Sequence, residues 1–154
     1  MKVEDVMTKA VASCAVNDTL NDAARVMWER DCGIVPVLAG GTDRHVLGVV
    51  TDRDVCMAGG TKHRSLARIS VKETMSHPVF SCFADENLKT VLVTMSKHRV
   101  RRLPVLNKSG HLEGVLSIDD IVQAPQRRGG PTAEDIVAAL KAIYARGAVE
   151  TVTA

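Results

Sequence analysis

Two stretches of the chain end in the same chemical pattern: Gly48-Val49-Val50-Thr51-Asp52-Arg53-Asp54 and Gly114-Val115-Leu116-Ser117-Ile118-Asp119-Asp120. In each, an apolar run gives way to a hydroxyl residue, and an aspartate follows three residues later. Thr51 with Asp54, and Ser117 with Asp120, match a capping box, in which hydroxyl and carboxylate satisfy each other's backbone N–H groups at a helix start. The same residue types suit a sugar. A carboxylate accepts paired hydrogen bonds from vicinal ribose hydroxyls, and a hydroxyl beside helix N-terminal N–H groups suits a phosphate. A second candidate is the basic run Lys97-His98-Arg99-Val100-Arg101-Arg102. Lys97 and Arg99 fit a solvated helix C-terminus, where cations complement the helix dipole. Arg101 and Arg102 lead into an apolar strand, which that role explains less well. Two guanidiniums near a cleft suit bidentate phosphate binding.

Other chemistries find little support. Cys14, Cys32, Cys56 and Cys82 form no CxxC pair, and they read as small buried hydrophobes kept reduced. The five histidines include no HExxH pair, and there is no Walker loop, no GxGxxG and no nucleophile with a base at a recognisable spacing. The expectation is a protein without catalysis, metal or cofactor of its own. With 20 Lys+Arg against 18 Asp+Glu and 3% aromatics, the 154 residues lack the bulk positive charge and the stacking platforms of many nucleic-acid binders. Binding of nucleic acid through Arg99, Arg101, Arg102, Arg127 and Arg128 is a minor reading, and it predicts a steep salt dependence. No apolar stretch approaches the roughly 20 residues that span a bilayer. The N-terminus is polar and has no signal-peptide core, so a cytoplasmic protein is expected.

The elements that must position these residues come from an internal repeat. Residues 3–38 align with 71–106, and 45–58 with 111–124. Identities include Met7 with Met75, Ser13-Cys14 with Ser81-Cys82, and Pro36-Val37-Leu38 with Pro104-Val105-Leu106. Each half predicts a β-α-β-β-α order. Short strands are expected near Val11–Ser13 and Val79–Ser81. Helices follow, with Leu20, Ala23, Ala24 and Met27, or Leu88, Val91, Leu92 and Met95, on one face. Asn17 or Asp18 and Asp85 are the expected N-caps, and Gly33 the expected stop of the first helix. Strands at Ile34–Leu38, Val46–Val50, Leu103–Leu106 and Leu112–Leu116 precede short helices at Asp52–Ala58 and Ile118–Ala124. The fold class is α/β (α+β). Residues 1–60 form the first motif, 61–70 a linker, 71–125 the second motif, and 126–154 a loop, a helix and a loose tail. The last helix, from Thr132 to about Arg146, places Ile136, Val137, Leu140, Ile143 and Tyr144 on one face. A three-stranded sheet with one apolar face cannot build a robust core alone. Packing the two sheets against each other across a pseudo-twofold axis would bury both and leave two related clefts.

The repeat, the paired G-h-h-[T/S]-x-x-D ends and the h-P-V strands resemble the CBS domain family, and residues 1–125 resemble a tandem CBS pair, or Bateman module. The resemblance implies a regulatory module that binds adenosine-containing ligands (AMP, ADP or ATP, less often NAD or S-adenosylmethionine) between its motifs. By the same resemblance, Asp54 and Asp120 would hold the ribose hydroxyls of two sites, supported by Thr51 and Ser117. Ala12, Cys32 and Ile34 would face the ligand of Asp120. Phe80, Val100 and Arg102 would face that of Asp54. Arg53, Arg101 and Arg102 would supply phosphate-binding cations. The first copy departs from the pattern at Gly33 and Ile34, and the second has Asp119 opposite Arg53, so the two sites should differ in charge. A homodimer of such pairs, regulating a protein target, is the implied assembly. The competing reading is a homodimeric assembly protein whose aspartates only cap helices.

Overall fold

The computed structural model describes residues 1–124 and 129–145. Two three-stranded sheets repeat one topology. In the first, β1 (Cys14–Ala15) lies parallel to β2 (Ile34–Gly40), which lies antiparallel to β3 (Asp43–Thr51). In the second, β4 (Cys82–Phe83), β5 (Arg102–Leu106) and β6 (Leu112–Ser117) are arranged in the same way. The helices are α1 (Leu20–Glu29), α2 (Asp52–Thr61), α3 (Leu88–His98), α4 (Ile118–Gln123) and α5 (Ala133–Tyr144). The β-α-β-β-α order is present twice.

Apolar spacing explains the helix faces. Leu20, Ala23 and Met27 are buried on α1, and Leu88, Val91, Leu92 and Met95 on α3. Local details depart from the sequence reading. The first strand of each half starts later, because Cys14 pairs with Val37 and Cys82 with Val105, while Val11–Ser13 and Val79–Ser81 stay outside the ladders. The caps are Thr19 and Asn87. Asp18 instead accepts the Ala15 N–H at 2.7 Å and closes the turn after β1. Helix α1 ends at Glu29, and Asp31, not Gly33, takes the left-handed conformation beyond it at φ 47°. Arg99, its repeat counterpart, does the same at φ 52°.

The sheets do not share one core. Each packs on its own helices, and the opening segments of the two halves are exchanged. The short 3-10 turn Val3–Asp5 sits on the second half, with Val3 in one core beside Leu88, Met95 and Leu116. Its equivalent, the 3-10 turn Val71–Glu73, sits on the first half, with Ile69 and Val71 in the other core beside Leu20 and Val35. Hydrogen bonds repeat the symmetry. Val3 N donates to Glu86 O at 3.0 Å, and Val71 N donates to Asp18 O at 2.8 Å. Thr8 bridges to Val115 as Ser76 does to Val49. His45 bridges to His111, its own counterpart, so the pseudo-twofold axis passes between them.

Helix α5 breaks the symmetry. It packs on α3 with Ala139 and Ile143 in the second core, and its cap is the expected pair Thr132 and Asp135. Val137 and Tyr144, expected on the buried face, are exposed. Arg146 and the tail lie outside the described residues, as do Arg127 and Arg128.

Candidate functional site

The crossing segments open one cleft on each side of the contact between halves. The first, of about 250 Å³, is lined by Ala12, Cys32, Ile34, Arg102, Ser117 and Asp120, together with Arg30, Asp31 and Asp119. The second, of about 330 Å³, is lined by Thr51, Arg53, Phe80, Val100, Arg101 and Arg102, together with Ile34, Asp52 and Arg99. They are called here the Asp120 cleft and the Thr51 cleft. Ile34 and Arg102 are repeat counterparts and form the wall between the two clefts. The strand registers put Ile34 opposite Thr51 and Arg102 opposite Ser117.

The capping reading of the paired motifs is realised. Thr51 N and Oγ1 donate to Asp54 Oδ2 at 2.9 and 2.7 Å, and Asp54 N donates to Thr51 Oγ1 at 3.3 Å. Ser117 N and Oγ donate to Asp120 Oδ2 at 2.7 Å each, and Asp120 N donates back at 3.1 Å. Each box engages only one carboxylate oxygen in these bonds. Capping therefore leaves acceptor capacity on Oδ1. Asp120 lines its cleft directly, whereas Asp54 is not among the lining residues and stands behind Thr51.

Gly33 occupies a constrained place in the wall of the Asp120 cleft. A Cβ there would lie 2.8 Å from Asp52 Oδ2 and 3.0 Å from both terminal nitrogens of Arg102. The absent side chain lets Arg102 and Asp52 lean over the strand. Phe80 stacks on His98, with centroids 3.8 Å apart and planes at 21°. Its counterpart is Ala12, so the Thr51 cleft has an aromatic wall where the other has a methyl group.

Charge separates the clefts. Arg53, Arg99, Arg101 and Arg102 against Asp52 give the Thr51 cleft an excess of positive charge. Arg30 and Arg102 against Asp31, Asp119 and Asp120 give the other a slight excess of negative charge. The sequence reading did not name Asp31 as a site residue, and it gave Arg99 a dipole role and a minor nucleic-acid role but no place in a cleft. Their equivalent positions in the repeat, each just past a helix that precedes a strand, were the available signal.

The cysteines are free, and burial pushes Cys14 and Cys82 up to about 12. Cys32 is raised too, chiefly by burial. These thiols are poor thiolate ligands or nucleophiles. Cys56, expected to be buried, is exposed on α2. Among the described residues no group of three or more His, Cys, Asp or Glu side chains could hold a metal ion, and no helix is long and apolar enough to cross a membrane.

A duplicated α+β unit, crossed at its opening segments and with two related clefts at the seam, defines a paired-repeat class. The family model described as CBS domain matches residues 3–60 and 71–127, and the chain belongs to that family as a tandem pair. It is 30% identical over 119 residues to the CBS domain-containing protein YhcV of Bacillus subtilis, covering 77% of this chain and 81% of the relative. Among solved structures, it resembles a CBS domain protein of Pyrobaculum aerophilum complexed with AMP (TM-score 0.73, 21% identity, 80% of this chain and 92% of that one). It also resembles the CBS domain pair of protein MJ0100 in complex with 5′-methylthioadenosine and S-adenosyl-L-methionine (TM-score 0.71, 20% identity, 80% and 94%). The chain spans only 24% of the homoserine O-acetyltransferase of Methanococcus vannielii that it matches at 26% identity.

Proposed function

We propose that the protein is a non-catalytic regulatory module that senses adenosine-containing nucleotides, and that its two clefts divide the ligands by charge. The carrying observation is the arginine excess of the Thr51 cleft. Phosphates are bound best by guanidiniums in paired geometry, so AMP, ADP or ATP occupies this cleft, with Thr51 and Asp54 toward the ribose and Phe80 and Val100 along the base. NAD is a weaker candidate for the same place. In the Asp120 cleft, Asp31 and Asp119 repel phosphate. There Ser117 and Asp120 hold a ribose, Ala12, Cys32 and Ile34 receive the base, and a ligand without phosphate, such as S-adenosylmethionine, fits the charge. The AMP and S-adenosyl-L-methionine complexes of the structural neighbours support this choice of ligand class. In the cell the proposal places the protein in the cytoplasm, where such ligands occur.

The test is a thermal-shift and calorimetry panel of AMP, ADP, ATP, NAD and S-adenosylmethionine on protein freed of ligand. A ligand at ~100 times its dissociation constant adds about 2.7 kcal/mol of stability. AMP, ADP and ATP should raise the Tm, and Arg53→Ala should weaken them about tenfold while sparing S-adenosylmethionine. No shift with any of the five overturns the reading.

A second reading, assembly into a homodimer that regulates a protein target, draws on one feature. Trp28 is 89% exposed, beside an apolar groove lined by Ala24, Met27, Val55 and Cys56 between α1 and α2. Trp28→Glu should convert a dimer to a monomer in light scattering. A wild-type monomer at all concentrations sinks that reading and leaves the nucleotide reading standing.

A further inference from the structure

Helix α5 lies beyond the matched CBS repeats, yet its last residue, Tyr144, contacts Arg101, which lines the Thr51 cleft. Arg101 Nη1 donates to the Tyr144 hydroxyl oxygen at 3.3 Å, and the guanidinium carbon lies 5.9 Å from the Tyr144 ring centroid. The main chain of Arg101 is fixed, since its carbonyl accepts the Ile118 N–H at 2.8 Å at the start of α4. Only the side chain has a choice of partner. The body of α5 is anchored elsewhere, by Ala139 and Ile143 in the core and by Lys89 Nζ at 3.1 Å from Asp135 Oδ2. The Tyr144 contact therefore adds little to holding the helix and instead ties its end to a cleft cation. Gly33, the counterpart of Arg101, has no side chain, so the Asp120 cleft has no equivalent tie.

We propose that Tyr144 holds Arg101 at the mouth of the Thr51 cleft in the ligand-free protein, and that a bound phosphate takes this guanidinium from it, so that occupancy of the cleft is read out at the end of α5. The inference rests on the phosphate reading of that cleft. A phosphate offers charged oxygens matched to the guanidinium fork, whereas the phenol offers one neutral acceptor. Asp52 and Asp119 add to the field that favours charged Arg101, and they favour the cation with either partner. Tyr144 acts as a positioning residue, and the coupling is reciprocal: whatever phosphate does to the tie, loss of the tie does to phosphate affinity.

Tyr144 is the only tyrosine in the chain, so 3-fluorotyrosine incorporated into the whole protein gives one fluorine resonance. AMP should move that resonance, and adenosine should move it far less. Arg101→Ala should move it without ligand. Tyr144→Phe keeps the ring and deletes the acceptor, and it should tighten AMP by about three- to tenfold, the range of one exchanged hydrogen bond, with adenosine unchanged. AMP binding that saturates in calorimetry while the resonance stays fixed and the Tyr144→Phe affinity equals wild type overturns the tie and spares the phosphate reading. Weaker AMP binding by Tyr144→Phe also overturns the tie. Failure of AMP to bind the wild type overturns both.

Discussion

Gly114 and Gly48 occupy the same place in the two repeats, in the strand that ends at each hydroxyl-aspartate motif, and neither needs unusual backbone dihedrals. Their reason is the segment that crosses over them. A Cβ on Gly114 would lie 2.7 Å from the Thr8 carbonyl oxygen and 3.0 Å from Met7 Sδ. On Gly48 the nearest atom would be Met75 Sδ, at 2.6 Å. A flexible thioether can swing aside, whereas a backbone carbonyl already engaged with the Val115 N–H at 3.0 Å cannot. Gly114→Ala should therefore cost about 1–3 kcal/mol as overpacking, and Gly48→Ala less, in urea unfolding followed by circular dichroism. Equal stability of Gly114→Ala and wild type would show that the crossing segment is loosely held. The identity of these glycines was visible in the repeat. Their purpose was not, because it depends on contacts between distant residues, 106 positions apart for Gly114 with Thr8 and 27 for Gly48 with Met75.

Helices α1, α2, α4 and α5 and the 3-10 turn Val71–Glu73 each start on a hydroxyl residue with an acidic residue three positions on, and in three of these boxes the carboxyl is depressed and adds to the acid sensitivity. Asp22 is held below the usual carboxylate range, first by the side-chain hydrogen bond from Thr19. Glu73 is lowered first by the Ser70 backbone N–H, and Asp135 by that of Thr132. A carboxyl whose pKa is depressed on folding binds protons more readily in the unfolded chain. Its stabilisation is thus fully present above the ordinary value, about pH 4, and is lost as pH falls through the lower folded value. The Tm should stay level from about pH 7 to pH 5 and fall below about pH 4. A Tm that instead peaked near pH 4 would contradict these assignments. Thr132→Ala should cost about 1 kcal/mol and release α5 first in hydrogen exchange. The box at Thr132 was legible as a three-residue spacing. The caps of α1 and α3 were misread because the turns before them crowd polar residues together, and Asp18 and Glu86 close those turns through Ala15 and Phe83 N–H groups at 2.7 and 2.8 Å. The buried face of α5 was only partly legible, since its apolar stripe is wider than the surface that α3 offers, and Val137 and Tyr144 are left outside.

At the scale of the whole molecule, the exchange of opening segments decides how the halves depend on each other. Periodicity revealed two equivalent units and their strand order. It could not reveal the crossing, because a three-residue 3-10 turn with one valine has no period to read. Yet Val3 and Val71 are fully buried, each in the core of the other half, and burial of such a side chain contributes about 1.5–3 kcal/mol. A unit cut along the repeat is therefore missing part of its own core. A fragment of residues 1–62 holds the first sheet and its two helices but lacks Ile69 and Val71, and it carries an unpartnered Val3. A fragment of residues 9–76 drops the segment that belongs to the other half and keeps the one that completes this one. The second fragment should show the more cooperative thermal transition and the stronger amide protection in β2 and β3, although neither matches the whole chain because the seam is open. If residues 1–62 were the better folded of the two, the exchanged valines would be surface decoration, and the clefts at the seam would lose the crossing segments that shape them.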